Sequence, residues 1–158
     1  MEAGWSPFNF LKALMQNNPY SVTDARSTDD AGKLLLRLVL AAMLLFHGIS
    51  KLQHGIGFVA DMLAKAGLPA VLGYGVYIGE IVAPLCILVG LFSRAAALVV
   101  AVNMVVAVLL AHTGQFFSIN ATGGWALELQ GMYLLTALAI ALLGAGRFSV
   151  GGRAGRFN

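Results

Sequence analysis

His47 and Lys51 stand four residues apart, and Glu80 and Glu128 follow in separate stretches, all in surroundings that are almost wholly apolar. Asn103 and His112 lie in similar company. Imidazole and carboxylate groups brought near one another can take up and release protons around neutral pH. An ammonium at the mouth of such a site attracts anions. The same groups can instead pair with one another and hold a bundle together, since ionisable groups inside a membrane usually find partners.

What surrounds these residues decides how they must be positioned. The chain has 158 residues, of which 59% are hydrophobic and 11% charged, with a mean hydropathy of +0.82. Soluble domains are usually about 25% charged. Seventeen charged residues cannot coat a water-soluble fold, so a conventional soluble enzyme, a disordered chain and a coiled coil are excluded. The excess apolar surface must face lipid. The net charge of +3 comes from Lys and Arg spread along the chain, which points to membrane topology and not to a nucleic-acid partner. Cys86 is the one cysteine, so no intrachain disulfide or thiol–disulfide relay is available. Glu2 and the late first apolar run do not read as a signal peptide.

Four apolar runs are long enough to cross a bilayer: 34–52, 72–92, 95–112 and 125–144. At about 1.5 Å per residue they measure roughly 27–32 Å. They are continuous and not alternating, which predicts helices and not barrel strands. The fold expected is an all-α integral membrane bundle of four transmembrane helices. Lys12, Arg26, Lys33, Arg37, Arg94, Arg147, Arg153 and Arg156 fall on one side, against Lys51 and Lys65 on the other. This predicts that both termini are cytoplasmic (N-in, C-in). Arg37 and Arg94 read as topology anchors, with Arg37 snorkelling to the surface.

Residues 1–32 read as an amphipathic extension: an N-terminal interfacial helix with Trp5, Phe8, Leu11 and Met15 on one face, then a polar linker over 21–32. Residues 33–150 form the membrane domain, and 151–158 a flexible basic, Gly-rich tail. The first outer loop predicts a short surface helix carrying Phe58, Met62 and Ala66, stopped by Gly67 and Pro69. Pro84 predicts a kink just past Glu80.

Measured from the outer surface, Lys51 and His112 sit at helix ends. His47 and Glu128 lie roughly 5–8 Å deep, and Glu80 and Asn103 roughly 12–14 Å deep. The inner half is nearly bare. A polar funnel closed near the midplane argues against an ion channel, which needs a polar path through both leaflets. It leaves open a pocket for an amphipathic molecule or a buried ion-pair network. A metal site would need convergent ligands, and no compact metal motif is present. Trp125, Tyr74, Tyr77, Phe116 and Phe117 fit an outer aromatic belt, or the lining of a quinone-sized pocket.

The ordered set Arg37 to Leu40, His47 to Lys51, Gly67 to Pro69, Glu80, Gly90 to Arg94, His112, Gly123 to Glu128 and Gly146 to Ser149 resembles the DoxX family of bacterial membrane proteins. The resemblance runs over about 33–150. It implies a four-helix bundle in the bacterial inner membrane, similar to small subunits of thiosulfate:quinone oxidoreductase, and a link to redox systems.

Two functions are then expected to compete. In the first, the chain is a quinone-linked redox subunit. His47, Glu80 and Glu128 are the candidate catalytic, proton-handling residues. Lys51, His54, His112, Asn103, Trp125 and Tyr77 are the substrate-binding ones, with Lys51 and His54 drawing in an anionic donor such as thiosulfate. No metal is expected, and a partner membrane or redox protein, membrane lipid and a possible homodimer are the associations implied. In the second, the chain is a non-catalytic structural or assembly subunit and the polar cluster fixes helix register. A transporter ranks third, because four helices are few and the inner half offers no path.

Overall fold

The computed structural model describes residues 6–8, 22–152, 155, 157 and 158. Five helices carry the architecture: α1 (Val22–His54), α2 (Gly57–Lys65), α3 (Ala70–Val89), α4 (Ser93–Ala111) and α5 (Glu128–Leu143). No named strand occurs among the described residues. Three of the helices, α1, α3 and α4, are long and apolar enough to cross a membrane. Each buries a third or less of its apolar stretch inside the protein, so most of its apolar side chains face outward. A soluble protein would pay heavily for that surface; lipid accepts it.

The apolar α5 is shorter than its sequence run. It has 16 residues, about 24 Å at the helical rise. Trp125–Leu127 belong to the preceding loop, where Ile119 and Trp125 form a bridge and the Ala126 amide donates to Ser118 O. The polar segment over 22–32, expected as a linker, is instead the opening of α1. Local side-chain pairing helps it: Lys33 Nζ reaches Asp29 Oδ2 one turn back at 2.7 Å. Most of the expected interfacial helix, and Arg153, Ala154 and Arg156 of the expected tail, lie outside the described residues.

The core runs along one stripe of α1, Leu40, Ala41 and Leu44, and meets Ile87 of α3, Val100 and Met104 of α4, and Ala137 and Ile140 of α5. Small residues recur at the crossings (Ala41, Ala83, Ala97, Ala137), which lets apolar helices approach closely. Gly48 carries this furthest. A Cβ there would stand 2.6 Å from Glu80 O and 2.5 Å from Ile81 Cγ1. The α3 backbone is irregular at this contact, with a π turn over Ile78–Val82. Pro84 follows, and lacking an N–H it cannot bond to Glu80 O four residues back. The predicted kink is therefore realised as a π turn around Glu80 itself.

Arg37 does not snorkel. It is 1% exposed. Its Nε donates to Ile87 O at 2.8 Å and its Nη2 to Leu88 O at 2.9 Å, both at the end of α3. Its Nη1 donates to Ala145 O and Phe148 O at 2.8 and 2.7 Å, just beyond α5. Two helix C-termini, each carrying partial negative charge, thus converge on one guanidinium. The described part of the C-terminal segment is not loose. Val150 and Gly151 donate to Val89 O and Gly90 O, and the Asn158 amide joins Ser93, Ser149 and Gly152. Gly90 is required here: its φ is +76°, and a Cβ would meet Arg37 Nη2 and Ser149.

Candidate functional site

The opposite end of the bundle holds a cavity. There α2 packs on the turn over Ala70–Tyr74, seated by Leu63 and Val59 against Gly73. The cavity measures about 710 Å³ and is walled by segments of all five helices. That size lies within the roughly 300–1,000 Å³ usual for small-molecule sites. Phe58, Met62, Leu72, Val102, Leu109 and Leu129 contribute to a wall that is mostly apolar.

A few polar groups interrupt it. Lys51 Nζ meets Glu80 Oε2 at 2.6 Å, with Glu80 almost wholly buried. The π turn supplies the placement: it displaces the helical register at Ile78–Val82 and carries Glu80. One turn before Lys51, His47 lies with Nε2 3.4 Å from Tyr133 Oη, the two rings edge to face. His112 ends α4, its Nδ1 3.0 Å from Gln115 Oε1 and its Nε2 3.1 Å from Gln130 Nε2. Both ring nitrogens of His112 thus meet side-chain amides, neither of which carries a charge. Asn103 sits against Gly79, where a Cβ would clash with its side chain, and its Nδ2 is a buried donor with no partner.

The cavity therefore gathers His47, Lys51, Glu80, Asn103 and His112 from the set singled out in the sequence. Glu128 is not among them. Because α5 starts late, Glu128 is its first residue, exposed, with Oε2 over Gly124 and its charge at the helix N-terminus. The picture of His47, Glu80 and Glu128 sharing one recess is corrected on that point. Trp125 also lies outside the wall: its Nε1 donates to Phe116 O at 2.8 Å and its ring covers Gly131. Tyr77 Oη donates to the Lys51 carbonyl, tying α3 to α1 behind the cavity. His54 folds back on Ser50 O and is exposed. Gln130 and Tyr133, one turn apart on α5, were missed, although two polar groups three residues apart in an apolar run were a legible signal. Among the described residues, no three His, Cys, Asp or Glu side chains come together in a way that could hold a metal ion.

A family model, DoxX, matches residues 32–113. The chain belongs to the DoxX family. The matched stretch covers nearly all the apolar part of α1 and all of α2, α3 and α4, and with them every cavity group just described except those on α5. This DoxX protein is 27% identical over 116 residues to a Bacillus subtilis (strain 168) protein named "Putative oxidoreductase CatD", covering 73% of this chain and 81% of that one. It is 36% identical over 115 residues to an uncharacterized Haemophilus influenzae protein, covering 70% and 81%. No solved structure matches the DoxX chain significantly. Family and apolar helices together make it a membrane protein.

Proposed function

We propose that this DoxX protein is a membrane subunit of a redox system and that its cavity takes up the head of a quinone from the lipid. The relative's name supports the redox reading. The observation that carries the quinone reading is an apolar cavity of about 710 Å³ holding one ion pair and an unpartnered amide donor. An apolar ring with carbonyl acceptors matches that wall.

A bound quinone supplies an acceptor for two electrons and two protons. The protein's part is to bind, orient and handle protons. The Asn103 amide donates to a carbonyl oxygen, a half-turn about its Cβ–Cγ bond bringing the NH₂ to the cavity side. The His47 imidazole and the Tyr133 hydroxyl, 3.4 Å apart, hold and pass a proton at the mouth. Lys51 is engaged by Glu80 and His54 is turned away, so the cavity offers no spare cation to an anionic electron donor. Electrons then come from a partner redox protein. In this reading α5 is a short fourth span and the protein sits in the bacterial inner membrane. The end holding Arg26, Lys33, Arg94 and Arg147 faces the cytoplasm.

Photolabelling with an azido-quinone tests this. Label is expected on α4 and α5 peptides around Asn103 and Tyr133, and excess decyl-benzoquinone is expected to abolish it. Labelling that never saturates, or that spreads evenly over the lipid-facing residues, would end the quinone reading. If labelling fails but a stable complex with respiratory proteins survives purification and keeps activity after His47→Ala, the chain is an assembly subunit.

A further inference from the structure

Among the described residues, Lys51 and Glu80 are the only Lys, Arg, Asp or Glu side chains in the cavity wall. At 2.6 Å they neutralise each other, with side-chain exposures of 26% and 9%. The other titratable wall groups are His47, His112 and Tyr133. His112 lies between the Gln115 and Gln130 side-chain amides, which carry no charge. His47 faces a hydroxyl that can donate or accept, so its partner demands no charge. The wall is closed in charge but open in donors. The Lys51 ammonium has three N–H groups and one carboxylate partner, and Asn103 Nδ2 has none.

We infer that Glu80 sets the charge class of the ligand. By occupying the Lys51 ammonium it makes the cavity select uncharged amphiphiles bearing hydrogen-bond acceptors and reject anionic ones such as fatty-acid carboxylates. An entering carboxylate has two choices. It takes Lys51 from Glu80, leaving a buried carboxylate bare among apolar side chains, or it leaves the pair in place and adds a negative charge that no further cation offsets. Either outcome strands a charge in a low-dielectric setting. An ester, amide or quinone carbonyl meets neither penalty and can accept from Asn103 or from a spare Lys51 N–H.

The inference rests on the cavity being the site of an amphiphile, and the test separates the two. The whole protein in phosphatidylcholine vesicles at pH 9 is given spin-labelled stearic acid or its methyl ester. The protein-immobilised fraction is read by electron paramagnetic resonance. The wild type is expected to prefer the ester by roughly tenfold or more, about one charge-pair increment. Decyl-benzoquinone is expected to displace it. Glu80→Gln frees the Lys51 ammonium and is expected to reverse the order in favour of the acid. The double variant Lys51→Gln/Glu80→Gln, which carries no charge to strand, is expected to keep the ester and gain no acid.

Equal binding of acid and ester by the wild type would overturn the inference. So would a folded Glu80→Gln protein that still rejects the acid, or acid binding gained by the double variant. If Glu80→Gln does not fold, the wild type and the double variant decide. If the wild type immobilises neither probe beyond ordinary boundary lipid, the binding reading of the cavity falls, and this inference with it.

Discussion

Two of the charged side chains that α1 carries inward, Arg37 and Lys51, stand fourteen residues or about 21 Å apart on nearly the same face. Their surroundings differ in one respect. Arg37 has four hydrogen bonds, all to main-chain carbonyls, and packs where two helices end. Lys51 has one carboxylate, on a π turn, at the wall of a cavity. A cation saturated by backbone acceptors ties a fold together and has nothing left to offer a ligand. A cation with one partner and unfilled space beside it can still respond to what enters. Burial alone does not separate the two roles; remaining hydrogen-bond capacity does.

Removing the saturated cation is the most direct way to break this comparison. Arg37→Met leaves four carbonyls without their donor and is expected to cost about 3–5 kcal/mol, read as loss of the folded, monodisperse protein or a large fall in Tm in mild detergent. Arg37→Lys is expected to recover little, because an ammonium cannot reproduce the planar fork. If Arg37→Met kept the wild-type Tm, the Arg37 end would not be the structural one. Gly90→Ala attacks the same end from the other side. It forces a left-handed residue and a Cβ into Arg37 Nη2 and Ser149, and is expected to cost about 2–3 kcal/mol. An unchanged Tm in that variant would mean that the C-terminal segment does not seat on Gly90 as described.

At the cavity end, Lys51→Met is expected to cost less, on the order of 1–3 kcal/mol, because Glu80 can turn toward the cavity and recover some solvation. It should abolish saturable quinone binding or weaken it severely. A stability loss as large as that of Arg37→Met, with ligand binding intact, would place Lys51 in the structural class as well.

The contrast between the ends was only half legible in the sequence. Apolar run length identified α3, α4 and the end of α1 to within a few residues, because a helix in lipid must bond its own backbone and nothing else competes. The surface helix α2 followed from the spacing of Phe58 and Met62. The starts of α1 and α5 did not. Polar residues 22–32 continue a helix that hydropathy cannot see, and a hairpin-like loop holds back Trp125–Leu127. For the site, depth along each span placed His47, Lys51, Glu80 and Asn103 in the outer half, between the helix ends and roughly 14 Å below them, and they share a cavity. Glu128 was grouped with them because hydropathy did not show the late start of α5, and Tyr77 because depth does not give rotation about the helix axis. Arg37 was misjudged for a related reason. Its partners are carbonyls 50 to 111 residues away, and a carbonyl has no signature in the sequence.

The smallest effect is expected at Glu128, and it sharpens the comparison by adding a charge that belongs to neither class. Its carboxylate is exposed at the first position of α5, above Gly124, and it has no place in the cavity wall. A carboxylate there gains only the attraction of the helix N-terminus, about 0.3–1 kcal/mol at an exposed site. Glu128→Gln is therefore expected to lower Tm by no more than about 4 °C and to leave the affinity for decyl-benzoquinone within about twofold of wild type. Glu80→Gln in the same assay is expected to admit the acid. If Glu128→Gln altered quinone affinity tenfold, the carboxylate would have to reach the cavity from the α5 N-terminus. The loop over 118–127 would then have to rearrange when a ligand enters.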